Sequence, residues 1–269
     1  MDSYWIVVLC YFISSIFYGT YFWTKGKNLP KLGFYFIVAG AAIQTASLIY
    51  TYSKGNSLTQ GFDTTLYLFA WFISLVYIAS QFKFKASLLG AFAAPLAFIL
   101  TIPLLILPHG IIDANQTLSN PWILIHIALI LAGEALFTVA FISGVLYIFQ
   151  ENQIKSKHVG RLLENFPSLT ALDKINHLCL ITGFPLVTIG IALGFLLAKE
   201  ILGSAWVWGH KETWSMVTWV LYAVLIHGRL SSGWKGRKAA WGAVLGFAII
   251  LLTLFVIGYF APGQDDLLG

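Results

Sequence analysis

Eight stretches of this sequence are long and apolar enough to cross a lipid bilayer, and little else in the chain has room to fold in water. They fall at about 4–23, 32–52, 64–80, 87–107, 122–149, 175–198, 213–230 and 240–260. A span needs about 20 predominantly apolar residues. An apolar run of that length satisfies its own backbone N–H and C=O groups in lipid by forming a helix. The expected fold is therefore all-α: a polytopic membrane helix bundle of about eight transmembrane helices, a single integral membrane domain over residues 1–269. The third and seventh stretches are short and diluted by Thr, Ser and Trp, so neighbouring helices are expected to enclose them. Pro95, Pro103 and Pro185 are expected to kink their helices. Gly190/Gly194 and Gly242/Gly246 have the small-xxx-small spacing that lets helices approach closely. Composition agrees: 58% of residues are apolar and 10% charged, against about 25% charged in ordinary soluble domains.

Orientation follows from the positive-inside rule. One set of connections holds thirteen of the sixteen Lys and Arg residues, and the other holds only Lys54, Lys199 and Lys211. Both termini are then outside, as are loops 108–121 and 199–212, while 150–174 is inside. That inner connection has room for one interfacial turn around Leu162-Leu163, before Pro167. The net charge of +5 does not point to nucleic acid, because the basic residues sit in short clusters between apolar runs. Only Asp2 precedes the first apolar run and Tyr21-Phe22-Trp23 ends it, so it reads as a retained helix rather than a cleaved signal. Cys10 and Cys179 both lie inside apolar runs without a CxxC pair, which argues for buried, inert thiols that do not pair.

The stretch 199–238 carries the functional signal. Trp206, Trp208, Trp214 and Trp219 lie within 14 residues, among Lys and Glu, at or just below the outer interface. An interfacial aromatic belt accounts for scattered Trp. Four in one loop and helix start form a platform suited to a large planar ligand. Several segments are specific: Leu172-Asp173-Lys174 with Gly183-Phe184-Pro185 and Gly194; Lys211-Glu212-Thr213-Trp214 with Thr218-Trp219; His227-Gly228-Arg229-Leu230; and Gly233-Trp234-Lys235-Gly236-Arg237. Together with Pro121-Trp122 and His126, these resemble the haem-handling proteins of cytochrome c maturation, with their tryptophan-rich "WWD" loop. The branch they resemble is the CcsA-type subunit of the System II haem lyase, including its short relatives encoded near haem-biosynthesis genes. The resemblance covers a cytochrome c assembly-type core of about 60–255. Against the family's usual loop, Leu202 replaces the first Trp, Gly209 the Asp and His210 the Pro, and the tail from Ala261 has no His.

The resemblance implies transiently bound b-type haem, with iron ligands at His126 and His227. His126 lies about one turn inside the outer end of its helix. His227 lies 14 residues past Thr213, hence about 21 Å deep. His210 is a candidate outer ligand in place of the absent tail His, with His109 the weaker substitute. Trp206, Trp208 and Trp214 would cover the porphyrin, and Lys211 and Glu212 belong to the same loop motif. Lys199 and Lys211 could pair with propionates or simply snorkel. His177 has a structural use, and His158 is a solvated residue among inner cations. Glu134 lies mid-helix; in lipid it must be protonated or paired, with a proton relay or a bond to Tyr or Trp as the open roles. No catalytic nucleophile is assigned. The function implied is a System II haem-handling subunit of an inner bacterial membrane, presenting haem on the outer face for covalent attachment to apocytochrome c. Its expected partners are haem, apocytochrome c, the lipid bilayer and a subunit with a large outer domain. Two other functions fit parts of the sequence: a non-catalytic relative that senses haem or regulates its biosynthesis, and an unrelated small-molecule transporter.

Overall fold

The computed structural model describes residues 2–24, 26, 28–54, 58, 61–106, 121–157, 166–202 and 210–260, with the side chains at 2, 22, 23, 62, 201, 202, 210–212, 214 and 253–260 outside that description. Among the described residues the regular structure is helical throughout. The helices are α1 (Asp2–Thr24), α2 (Leu29–Ser53), α3 (Phe62–Phe84), α4 (Gly90–Thr101), α5 (Pro103–Ile106), α6 (Pro121–Lys155), α7 (Leu169–Leu202), α8 (His210–Leu230) and α9 (Arg237–Phe260). Among the described residues, six of the spans are long and apolar enough to cross a membrane: those built on α1, α2, α3, α4 with α5, α6 and α7. The described part of α8, Ser215–Leu230, is apolar but shorter. The possible turn at Leu162-Leu163 lies outside the described residues.

The fourth expected span is divided. A 3-10 turn, Ser87–Leu89, leads into α4, and α4 ends where Pro103 begins α5. Proline has no N–H to offer the carbonyl four residues back; Ile102 N–H bonds the Ile99 carbonyl at 3.3 Å instead. The kink expected at Pro103 is thus a break. Pro95 and Pro185 stay inside α4 and α7.

Two groups of helices pack side by side, joined where α3 meets α6. In the first, α1, α2 and α3 alternate in direction and share a buried polar core. Tyr11 donates its hydroxyl to Gln44 Oε1 at 2.7 Å, and Gln44 Nε2 donates to the Tyr67 carbonyl at 2.6 Å. Ser14 Oγ donates to the Gly33 carbonyl at 2.7 Å, and the Tyr18 and Tyr77 hydroxyls bond each other. In lipid each of these groups needs a protein partner, so these bonds fix the register of three helices. α3 is enclosed, as expected, with Tyr67, Leu68, Phe69 and Ala70 all buried in succession.

In the second group, α6 and α7 form an antiparallel seam. His126, Ile130, Gly133, Phe137 and Gly144 recur on α6 at the three-and-four spacing that left-handed helix packing uses. They face Gly194, Gly190, Val187 and Gly183 of α7 and the α9 residue Ala240. At the closest point a Cβ on Gly133 would stand 2.9 Å from the Gly183 carbonyl oxygen, so only glycine fits. The Gly242/Gly246 pair of α9 is likewise covered by Leu225, Leu221 and Tyr222 of α8. α8 is less enclosed than expected: Val217, Val220 and Val224 are about half exposed. It lies at the rim, packed against α7 and α9, and presents one apolar stripe outward.

Candidate functional site

His126 is held by α7 in one orientation. Its Nδ1 lies 2.7 Å from the Gly190 carbonyl oxygen. A carbonyl only accepts, so Nδ1 carries the proton and Nε2 keeps its lone pair. The ring lies over Gly194, where a Cβ would stand 2.7 Å from Cε1. Nε2 has no hydrogen-bond partner among the described residues, and the side chain is partly exposed. A metal-ligating histidine has this arrangement, with one nitrogen donating to a backbone carbonyl and the other presented. Gly190 and Gly194 therefore seat an imidazole as well as packing a helix.

His227 lies at the other end of the bundle. It is exposed in the last turn of α8, with Nδ1 3.5 Å from Ser231 Oγ. α6 and α8 run in the same direction, since both are antiparallel to α7: Gly133 meets Gly183 and His126 meets Gly194, while Trp219 meets Thr188 and Arg229 meets Asn176. Phe137 stacks on Tyr222 with ring centroids 3.6 Å apart. At 1.5 Å per residue, His126 is about 8 Å and His227 about 26 Å from their helix starts. The two histidines are not brought together.

His210, Lys211, Glu212 and Trp214 form the first turns of α8, at the same end as His126, with side chains outside the described residues. Trp206, Trp208, His109 and His158 lie outside the described residues altogether. Trp219 differs from a flat outer platform. It is turned into the bundle, its Nε1 donating to Thr188 Oγ1 at 3.0 Å and its ring stacked on Phe184 at 5.5 Å. Lys199 is exposed at the end of α7.

Counting charges by loop missed a buried network at the inner-loop end. Arg229, counted with the loop cations, is 6% exposed. Its Nη2 donates to Asp173 Oδ1 at 3.0 Å and to the Asp173 carbonyl at 3.2 Å; Nη1 donates to Asn176 Oδ1 at 3.1 Å; Nε donates to His177 Nδ1 at 3.2 Å. His177 thus has a structural use. Asn176 Nδ2 continues to the Ala140 carbonyl at 2.8 Å, and Asp173 Oδ1 accepts the Gly236 N–H at 3.0 Å. Four elements meet here. Nearby, Arg237 Nη1 bonds Glu151 Oε2 at 3.0 Å and Asn152 Oδ1 at 2.7 Å. The sequence signal is the pair Asn176-His177 inside an apolar helix, with a compensating Asp173 one turn earlier.

Among the described residues no cluster of three His, Cys, Asp or Glu side chains forms a metal site, and Cys10 and Cys179 are both free and buried. A single presented imidazole with a glycine-floored, partly exposed approach is suited instead to an axial position on a planar metal complex.

Comparison with known proteins gives the family. The cytochrome c biogenesis protein CcsA of Pyropia yezoensis is 26% identical, covering 96% of this chain and 92% of its own length. That of Guillardia theta is 25% identical over 97% of this chain and 89% of its own length. That of Prochlorococcus marinus strain MIT 9301 is 26% identical over 81% and 79%. The family described as cytochrome C assembly protein matches residues 59–263, from the start of α3 beyond the end of α9, and this chain belongs to that family.

Proposed function

We propose that this chain is a haem-handling membrane subunit of cytochrome c biogenesis, of the System II type, and that haem is its transient cargo. The observation that carries the reading is the His126 imidazole, anchored through Nδ1 with Nε2 presented. The names of its relatives supply the process. On this reading His126 holds the iron at the outer end of the bundle. Trp206, Trp208 and Trp214 stack on the porphyrin, and Lys211 faces its propionates. His227, exposed on the half-open stripe of α8, offers a second ligand position that a partner subunit completes. Bound haem supplies the vinyl groups to which apocytochrome thiols add. The protein supplies position and iron ligation rather than a nucleophile. The outer face follows from the Lys and Arg distribution, which argues for the periplasmic side of a bacterial inner membrane.

The test is the absorption spectrum of the purified protein, alone and as His126→Ala and His210→Ala. The parent is expected to show histidine-ligated b-type haem, lost or shifted in His126→Ala. Iron losing one of two ligands changes coordination, so His210→Ala should shift the spectrum even where stacking retains the haem. A His126→Ala protein with the parent spectrum would overturn the reading. A second reading, a relative that senses haem without attaching it, is favoured by Gly209 and His210 standing where the family's loop has Asp and Pro. Co-expression with a partner subunit and an apocytochrome separates the two, since only the first yields covalent haem.

A further inference from the structure

Glu134 sits midway along α6, away from both ends of the bundle and from His126. Glu134 lies 13 residues into α6 and Tyr222 12 residues into α8. At 1.5 Å per residue both are about 18–20 Å from their helix starts, in parallel helices, hence at one level. Phe137, one turn from Glu134, stacks face to face on Tyr222, which sets the Tyr222 ring beside the Glu134 turn of α6. The Tyr222 side chain is 1% exposed. Its hydroxyl and that of Thr218, one turn away on the same helix face, are buried without a protein partner among the described residues. No hydrogen bond to the Glu134 carboxyl is shown among the described residues either, although its carbonyl accepts from Thr138 Oγ1 at 2.8 Å.

Two buried hydroxyls without bonds, on one face of α8 and level with a carboxyl, are costly. Leaving a buried hydroxyl without a partner is unfavourable. A carboxyl and two hydroxyls are suited to water and an exchangeable proton. Water held by hydroxyls beside a carboxyl can accept its proton and return it. Ser215, Thr218 and Tyr222 follow the three-and-four spacing down α8 from its His210 end. Beyond Tyr222 the path closes on buried Leu225 and Ile226, and on Phe141 stacked against Phe247 at 4.6 Å. Among the described residues, the neighbouring Val187 of α7 and Phe247 of α9 carry no charge, and Tyr222 of α8 is a titratable group at the level of Glu134.

We propose that Glu134, Tyr222 and Thr218 form an internal proton-binding site, in which the Glu134 carboxyl exchanges one proton with water held by the two hydroxyls and reached from the His210 end of α8. The reaction is an acid dissociation: the O–H bond of the carboxylic acid breaks, its proton passes to water, and the electron pair stays on the carboxylate.

The test is infrared difference spectroscopy on the haem-free protein in lipid vesicles, which keeps it independent of any haem result. The expected spectrum has a carbonyl band of a protonated carboxylic acid in apolar surroundings. The band should fall in wavenumber in D2O, disappear reversibly as pH rises, and be absent in Glu134→Gln. Tyr222→Phe and Thr218→Val should each move the midpoint of its disappearance. These variants also test the site if Glu134→Gln fails to fold. In vesicles of known orientation, the band should respond to pH on the side of the His210 end. A band that persists unchanged at all pH values would overturn the proposal. So would a band unaltered by both hydroxyl variants, or one that responds to the opposite side.

Discussion

Replacing Gly194 with alanine should weaken haem binding while leaving the bundle folded. A Cβ at this position stands 2.7 Å from His126 Cε1 and 3.1 Å from Nδ1. Carbon atoms prefer about 3.5–4.0 Å, so the ring must retreat by about 1 Å. The Nδ1 to Gly190 bond, 2.7 Å in the native chain, then stretches to about 3.5 Å, beyond useful geometry. Overpacking of this kind costs about 1–3 kcal/mol of stability, which a bundle of this size tolerates. The larger effect is functional: removing the bond that orients a ligating histidine costs about 10–100-fold in affinity. The assay is titration of the purified protein with haem, followed by absorption. Gly183→Ala is the control. Its Cβ meets the Gly133 carbonyl oxygen at 3.1 Å and the Phe137 ring, so it strains the same seam far from His126 and should leave haem affinity near the parent value. Parent affinity in Gly194→Ala, or equal losses in both variants, would refute the reasoning.

Arg229→Met should destabilise the protein by about 3 kcal/mol, the lower part of the range for breaking a buried ion pair, because Asp173 is 24% exposed; Asp173→Asn in the same chain should recover part of the loss in a thermal unfolding assay. Gly236→Ala should cost more than Gly233→Ala in the same assay: both have φ near +60°, which costs a residue with a Cβ about 1–2 kcal/mol, but only at Gly236 would the Cβ also strike Tyr147 Oη, at 2.7 Å. His227→Gly should lower the haem content of the isolated protein, and added imidazole should restore part of it; unchanged content would make His227 a residue without an iron-binding role. A cysteine at Gly209 should react with an impermeant thiol reagent only from the non-cytoplasmic side, and labelling from the cytoplasm alone would reverse the orientation.

The spans were legible because length and apolarity are local properties, and hydrocarbon thickness converts them directly into helices. The break before Pro103 was half legible: the proline announces a disturbance, but whether the chain kinks or stops depends on what packs around Ile102. His126 was singled out by its surroundings in sequence. Its seat was not, because the glycines beneath it lie 64 and 68 positions further along, and only the register of α6 on α7 pairs them. Arg229 misled the charge count for a related reason. Nothing within its own helix neutralises it, and its partners Asp173, Asn176 and His177 come from another helix. The Trp219 contact with Thr188 was hidden in the same way, since an indole at an interface and an indole bonded inside a bundle look alike in one dimension.

The Arg229 bonds make α8 a lever. One end is clamped by four donors to α7, and the Trp219 to Thr188 bond braces it at mid-length. From that brace back to His210 is nine steps along the helix, an arm of about 13.5 Å. A bend of about 10° at the brace would carry the far end about 2 Å, the difference between a nitrogen that reaches an iron atom and one that does not. The clamped end would not move, so a protein bound against Val217 could set the position of the far end by leaning on the arm.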